Sequence, residues 1–598
     1  MMIFSSLPGF IFIAGGALTF LFKSTRLGRL IPFFTVGIAT MSLLQLTATD
    51  TVSVSFLLTP LELLRVDTLS QLFGALFVGV AGVAFFYGIN VAKTTEYAAA
   101  LVYIGSALAV IFTHDLVTLY IFWELMALSS VFLILLADTS VSRKAALRYI
   151  IVHLVGGLVL LAGIILHIHA TGTTLFDAMT LGSLSSYLII VGFLVNAAGV
   201  PLSSWLSDAY PESTLMGGVI LSSITTKTAI YVLMRGFSGT DILIWVGAIT
   251  GVYGVIYGLL ENNVRRSLSF SVINQIGFKL VGIGLGSPLA IAGVCAHVVC
   301  GVMYNSVLWM SAGNLIKATG KTTYTELAGV PRRYPWMMAL ALVGSLAIAS
   351  FPLTSGYTSK TIILKAVEYA HLFTPWLLLE FASFGVILFI TCKFMFYGFL
   401  YKNEGPVLRF SNPVMIAVTG VVAFGCILLG VMPGLLYDYL PYSDNLLQKV
   451  PSTFGAIYTH FEGLIIQCQK FFFAILAFVF FKRYIPIKPT IIIDIDWVYR
   501  RLLRYIRIFL LAFVDFIYTM IHRFIMIIVV RTVHFFEQSL SLFLYLYHVP
   551  FLRLSRTPID RVVLLKQYRA TIESNGFPFV LIGSFIFILA ISLALLTF

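Results

Sequence analysis

Glu124 stands in the middle of "VIFTHDLVTLYIFWELMALSSVFLILL", residues 110 to 136, a stretch that is otherwise nearly unbroken hydrocarbon. Asp115 near its start and Asp138 just beyond it can reach an interface, but Glu124 cannot. An unpaired charge at that depth is costly or is forced to neutralise. The groups that could answer it lie elsewhere: Lys227 in "LSSITTKTAIYVLM", Lys279 in "INQIGFKLVGIG", His297 in "GVCAHVVCGVMYN", Lys360 in "SGYTSKTIILKA" and Lys393 in "VILFITCKFMFYG". One carboxylate, several lysines and a histidine on separate apolar segments are the ingredients of a proton relay. Burial draws the proton affinities of amines and acids together, and each affinity then depends on the charge of its neighbours. Asn196, Asn274, Asn305, Ser222, Ser223, Thr225, Thr226, Tyr304 and Ser359 supply hydrogen bonds for waters between them. Two of the ionisable groups also have a simpler reading. A single histidine in a helix is commonly satisfied by a neighbouring carbonyl, and Lys393 can extend its amine to an interface because its span ends soon afterwards. Glu124 and Lys227 lie about eight residues or more from the ends of their segments, which makes that harder.

The elements that must position these groups are membrane spans. Of 598 residues, 59% are hydrophobic and 11% charged, and the mean hydropathy is +0.99. A soluble domain has about 45–50% apolar and about 25% charged residues. Stretches near the ~20 residues that cross a bilayer recur at roughly 2–22, 30–48, 68–91, 96–113, 116–136, 146–169, 186–208, 214–235, 241–259, 267–286, 288–314, 336–370, 373–400, 413–433, 464–481 and 577–597. The first has no basic region before it and no small-residue cleavage site after it, so it reads as a retained span. Cys295, Cys300, Cys392, Cys426 and Cys468 lie in apolar surroundings without a Cys-x-x-Cys spacing, and imply no metal, cluster or disulfide framework. The net charge of +13 is concentrated in short connections and the last hundred or so residues, where it suits anionic lipid better than nucleic acid. No phosphate loop, nucleotide fingerprint or RNA-binding motif appears.

The chain divides into residues 1–95 (N-terminal helices), 96–400 (a dense core holding almost every intramembrane ionisable group), 401–490 (additional spans) and 491–598. Two core segments carry proline in similar settings, "FLVNAAGVPLSSWLSDAYPE" at Pro201 and "LAIASFPLTSGYTSKTIILKA" at Pro352. Proline removes a backbone donor and obstructs the i−4 carbonyl, so both helices are expected to break at mid-membrane and leave free carbonyls or amides facing a polar interior. Broken helices at matching places in two halves point to an inverted-repeat transporter. In the last block, residues 493 to 548 keep helical composition without Pro or Gly while Arg, His and Asp recur every few positions. At ~1.5 Å per residue this helix reaches ~80 Å. It reads as a lateral amphipathic helix followed by a terminal anchor, with two ordinary spans joined near His522 and Arg523 as the alternative.

Four motifs, "FWELMALSSVFLILL", "PLSSWLSDAYPESTLMGGVILSSITTKTAIYVLMRG", "LLENNVRRSLSFSVINQIGF" and "SFPLTSGYTSKTII", together resemble the antiporter-like subunits shared by respiratory complex I and Mrp-type cation/proton antiporters, with the D-type subunits of the Mrp antiporters most similar. The resemblance covers roughly residues 60 to 400, with all four motifs in the family's order. It implies an all-α polytopic membrane fold of about 14–16 transmembrane helices, with two inverted five-helix repeats, each with a broken helix, joined by a hydrated axis of charged residues. Carried over by motif, Glu124 matches the family's glutamate, Lys227 the lysine that follows its pair, His297 the first histidine of the central run, and Lys360 the ionisable residue of the second broken helix; Lys393 resembles a lysine sometimes found in the next span.

Three positions depart from the pattern. Asn196 stands where the family has the glutamate's partner lysine, and Gly301 and Asn305 stand where it has a second histidine and a lysine. Lys279 is an addition where the family shows an apolar residue. Two readings follow: a rerouted relay, with Lys227 pairing Glu124 and Lys279 replacing the central lysine through water, or a subunit that has lost transport and serves as a scaffold. The resemblance implies a proton-translocating subunit of a multisubunit complex, most like an Mrp-type sodium/proton antiporter, in a bacterial inner membrane. Its alternative is the membrane subunit of an NADH-quinone oxidoreductase or membrane hydrogenase, whose redox chemistry would lie in partner subunits. No cofactor is implied for this chain; the implied partners are other membrane subunits, the bilayer, protons and sodium, and no nucleic acid.

Overall fold

The structure is a computed structural model that describes residues 7–47, 50–56, 59–327, 335–401, 412–444, 446, 450, 461–482, 496–554 and 561–574. The chain separates into two units, Met1–Ile495 and Asp496–Phe598.

The first unit is helical throughout its membrane part. It opens with α1 (Pro8–Leu21) and α2 (Arg26–Gln45), followed after a hairpin by α3 (Thr68–Gly88), α4 (Thr94–Phe112), α5 (Leu116–Leu135) and α6 (Ser140–Thr171). The hairpin, β1 (Thr51–Phe56) against β2 (Thr59–Arg65), is antiparallel. It adds to the all-helical expectation, and "TVSVSF" does alternate β-branched and polar residues with the period of a strand. Asp115 is the N-cap of α5, its side chain accepting from the Thr118 amide at 2.7 Å, so the acid at the start of the Glu124 segment has a structural use. Thr139 and Ser142 form a capping box at the start of α6.

The core follows: α7 (Leu184–Ala197), the short α8 (Ser204–Ala209), α9 (Leu215–Ser223), α10 (Thr225–Gly236), α11 (Ile242–Leu260), α12 (Val264–Leu285) and α13 (Pro288–Thr319). Next come α14 (Pro335–Ile348), α15 (Ser355–Tyr369), α16 (Phe373–Val386), α17 (Pro413–Val431), α18 (Gly434–Tyr437) and α19 (Phe461–Phe481). Among the described residues thirteen helices are long and apolar enough to cross a membrane. The shorter apolar helices include α7 and α14, and the reason is the expected one: both stop at a proline break. Before Pro201 the helix ends at Ala197 and Ala198 takes φ +59°; around Pro352 it ends at Ile348, with Ser350 and Leu353 at φ +63° and +68°. Left-handed non-glycine residues are uncommon and cluster at functional sites. A third interruption, at Ile224 between α9 and α10, has no proline or glycine beside it to announce it in the sequence, and a π-helical stretch at Ile387–Phe394 follows α16, two residues after Gly385.

The buried centre is α10, α12 and α13. Glycine permits α11 and α12 to meet backbone to backbone: a Cβ on Gly247 would stand 2.7 Å from the Gly277 carbonyl, and one on Gly277 would stand 2.5 Å from the Gly251 amide. Close approach of this kind is how small residues pack membrane helices.

The second unit holds α20 (Asp496–Leu554) and α21 (Arg561–Ser574). α20 is one uninterrupted helix of 59 residues, as the composition implied, and its Arg507–Phe535 portion is long and apolar enough to span. The expected terminal anchor at 577–597 lies outside the described residues.

Gly277→Leu should separate α11 from α12 and destabilise the fold by about 1–3 kcal/mol, read as a lowered unfolding midpoint of the detergent-solubilised protein, while Gly37→Leu, with nothing within 4 Å of its Cβ, should leave the midpoint in place.

Candidate functional site

Helix interruptions place the lysines. α9 ends at Ser223, and Lys227 Nζ donates back to the Ser222 carbonyl and to Thr226 Oγ1 at 3.2 Å. α14 ends at Ile348, whose carbonyl accepts from Lys360 Nζ at 3.1 Å. α11 ends at Leu260, and Lys393 Nζ donates to the carbonyls of Gly258, Leu259 and Glu261 at 3.3, 2.6 and 2.5 Å. The last carbonyls of a helix lack intrahelical partners and carry its negative dipole end, so an ammonium is stabilised there without a carboxylate. Lys393 is therefore a buried cap on α11. At the first broken helix no lysine is present, and the Trp205 indole N–H takes the Val195 carbonyl at 2.8 Å instead.

Lys279 and His297 form the centre. Lys279 Nζ lies 3.4 Å from the Gln275 carbonyl one turn earlier on α12. A Cβ on Gly301 would meet that same Nζ at 3.4 Å and Tyr304 Oη at 3.2 Å. The amine from α12 thus lies beside the α13 position that Gly301 leaves without a side chain. His297 bonds on both ring nitrogens, Nδ1 with Ser359 Oγ at 3.2 Å and Nε2 with Gln275 Oε1 at 3.0 Å, and Tyr304 Oη donates to the same Gln275 oxygen at 3.2 Å. It is held by side chains of three helices, not by a carbonyl. Lys227, Lys279 and Lys360 all lie within electrostatic range of it. Lys360 also sits over the Phe278 ring, 4.7 Å from its centroid.

Glu124 is placed apart from this string. One carboxylate oxygen, Oε1, is buried without a hydrogen-bond partner and lies against Gly157 of α6, where a Cβ would collide with it. The expected direct pairing with Lys227 is not formed: the lysine is turned to the end of α9, five residues back on its own segment. Asn196 Nδ2 and both polar side-chain atoms of Asn305 are buried with no partner. Buried amides in this condition are normally satisfied by water, so the two asparagines that replace expected cations are suited to hold water in their stead. Reasoning from sequence misses Gln275, the acceptor shared by His297 and Tyr304, because a neutral amide does not stand out in a polar-dotted segment. It also misses Glu380 of α16 and Lys470 of α19, which pair at 2.5 Å within electrostatic range of Lys360. Both are ionisable residues inside apolar segments, the signal that singles out Glu124.

The sequence family described as "NADH:quinone oxidoreductase/Mrp antiporter, TM" matches residues 113–387, which contain all of these groups except Lys393 and Lys470. That stretch is an antiporter-like module of the complex I and Mrp superfamily. The chain is 27% identical over 274 residues to the D-type subunit of the Na(+)/H(+) antiporter of Alkalihalophilus pseudofirmus, covering 42% of this chain and 55% of the relative. It is 27% identical over 492 residues to the A1-type subunit of the Na(+)/H(+) antiporter of Staphylococcus haemolyticus, covering 71% of this chain and 60% of the relative. The chain thus spans little more than half the length of these curated relatives. A chain in the Mrp complex structure from Dietzia sp. superposes with a TM-score of 0.67 at 19% identity, covering 76% of this chain and all of that one, and shares the fold.

If Lys279 occupies the room of a residue at 301, Gly301→His should destabilise the protein and Lys279→Met should relieve it. A double-mutant cycle on thermal unfolding should show a coupling of about 0.5–3 kcal/mol; additive effects would mean that the two positions do not share that space.

Proposed function

We propose that the chain is a proton-translocating, antiporter-like subunit of a multisubunit complex in a bacterial inner membrane, most like an Mrp-type sodium/proton antiporter. The observation that carries this reading is the set of three lysines and one histidine, Lys227, Lys279, His297 and Lys360, each 1% exposed or less, the three amines all within electrostatic range of His297, with no carboxylate bonded to any of them among the described residues. Fully paired amines would be a static scaffold. Amines resting on helix-end carbonyls exchange protons at lower cost, because the carbonyl partner keeps its charge distribution when the proton leaves.

Protons would enter near Glu124, pass Lys227, cross the centre by Lys279, His297 and water, and leave by Lys360. Asn196 and Asn305 would hold water along the way, while Pro201 and Pro352 maintain the helix breaks. Lys393 supports the end of α11 and takes no proton in this scheme. The work of moving the charge would come from the electrostatic coupling between neighbouring sites, as each arriving proton lowers the next site's affinity. The family description also covers NADH:quinone oxidoreductases. In that setting the same relay would be driven by redox partners, and flavin or iron–sulfur absorbance in the purified native complex would reveal them.

The test is proton and sodium flux in vesicles containing the intact complex under an imposed pH gradient. Glu124→Gln, Lys227→Ala and Lys360→Ala should each lower flux by at least about tenfold while the complex stays assembled by size-exclusion chromatography. Native flux in all three variants would overturn the reading in favour of a scaffold.

A further inference from the structure

His153, one turn before Gly157 on α6, has no part in the relay described so far, yet it is 2% exposed and its Nε2 has no hydrogen-bond partner. Its Nδ1 lies 2.9 Å from the Tyr149 carbonyl. A carbonyl oxygen only accepts, so Nδ1 carries the proton of the neutral ring and Nε2 presents a bare lone pair. A polar atom left in this state in a membrane interior calls for an explanation.

The surroundings supply one. Residues 149, 153 and 157 share a face of α6, with successive Cβ atoms about 5–6 Å apart. α5 lies along that face, with Ser130 Oγ bonded to Tyr149 Oη at 2.9 Å and the Glu124 carboxylate against Gly157. His153 is therefore between the two contacts. Its ring stacks on Tyr149 with centroids 4.0 Å apart and meets the Trp205 ring edge-on at 4.5 Å. Beyond Tyr149 the polar groups continue. Thr225 is within reach of the Tyr149 hydroxyl, its own hydroxyl bonds Tyr103 Oη at 2.5 Å, and the next residue, Thr226, bonds Lys227 Nζ. The titratable groups on the packed elements are Glu124 and Tyr120 of α5, Tyr149 of α6, Tyr103 of α4 and Tyr210, whose ring packs on Trp205 with centroids 5.6 Å apart; Arg148 and Asp208 nearby in sequence are paired with each other at 2.6 and 2.9 Å.

We propose that His153 carries the proton between Glu124 and Lys227, which the structure leaves unpaired, by a route along α6 that bypasses Asn196. This rests on the proton-translocation reading above. The O–H bond of protonated Glu124 breaks and an N–H bond forms at His153 Nε2 through bridging water, leaving a carboxylate and an imidazolium. The same Nε2–H then releases its proton to the Tyr149, Thr225 and Thr226 hydroxyls with bridging water, and Lys227 amine becomes ammonium. Nδ1–H stays on the Tyr149 carbonyl throughout, holding the ring in place.

The experiment uses the assembled complex in vesicles, with a trapped pH dye reporting gradient-driven flux. His153→Gln keeps a donor for the Tyr149 carbonyl and removes the titrating nitrogen. Flux should fall at least about tenfold, and adding Asn196→Lys to that variant should restore most of it, which a purely structural role for His153 would not allow. Native flux in His153→Gln, with Glu124→Gln silent, would overturn this route and leave the broader reading standing. A native complex that moves no protons would overturn both. Should His153→Gln fail to assemble, infrared difference spectra of the native complex on a pH jump decide the matter. With His153 assigned by site-specific isotope labelling, His153 and Glu124 carboxyl bands that change together, with the His153 change lost in Glu124→Gln, are the expected result; a His153 change that persists in Glu124→Gln would overturn the route.

Discussion

The bond between a buried lysine and the carbonyls at the end of a helix is the interaction on which the rest of this protein depends. Lys227, Lys360 and Lys393 each use it, on α9, α14 and α11. It resolves two problems together. A helix that stops inside a membrane leaves carbonyls that hydrocarbon cannot satisfy, and an amine inside a membrane needs a partner. Placing one against the other removes both costs without introducing a fixed negative charge. A carboxylate in the same place would bind the proton and the lysine more strongly, and a strongly paired ammonium has less reason to release its proton.

The centre of the molecule gathers Lys279, His297, Tyr304 and Gln275 around the Gly301 position. Gly301 leaves α13 without a side chain there, and Lys279 of α12 brings its amine beside that position. At Asn196 and Asn305 the amides remain unpartnered among the described residues. Gln275 keeps the arrangement in register, because its single side-chain oxygen receives both His297 and Tyr304, and its amide is in turn bonded to Asn274 at 2.7 Å. Asn274 donates to the Gly251 carbonyl of α11 at 2.7 Å. Polar side chains thus join α11, α12 and α13 where Gly247, Gly251 and Gly277 let the backbones approach.

Much of this is legible in the amino-acid sequence. Hydropathy, the depth of Glu124 and Lys227, and the two proline-bearing segments are local properties, and local properties determine where spans lie, where a helix must break and which ionisable groups cannot reach water. The all-α polytopic fold, the breaks at Pro201 and Pro352, and the uninterrupted α20 follow from them. The break at Ile224 is not legible, because no proline or glycine marks it and the segment reads as one apolar span. The hairpin at 51–65 is hidden inside a connection, and the π-helical turn carrying Lys393 leaves the same residue pattern as an ordinary helix.

Only the tertiary structure decided which groups meet. The sequence identifies Glu124 and Lys227 as buried ions of opposite sign, and pairing them is the natural expectation. The fold instead turns the lysine to the end of its own preceding helix and sets the glutamate against Gly157, one turn from His153 on the same helix. Which partner an ion selects depends on the packing of helices far apart in the chain, and on a glycine's missing side chain as much as on any charge. Composition determines that ionisable groups lie inside this membrane protein; the helix ends and close crossings determine which atoms they touch.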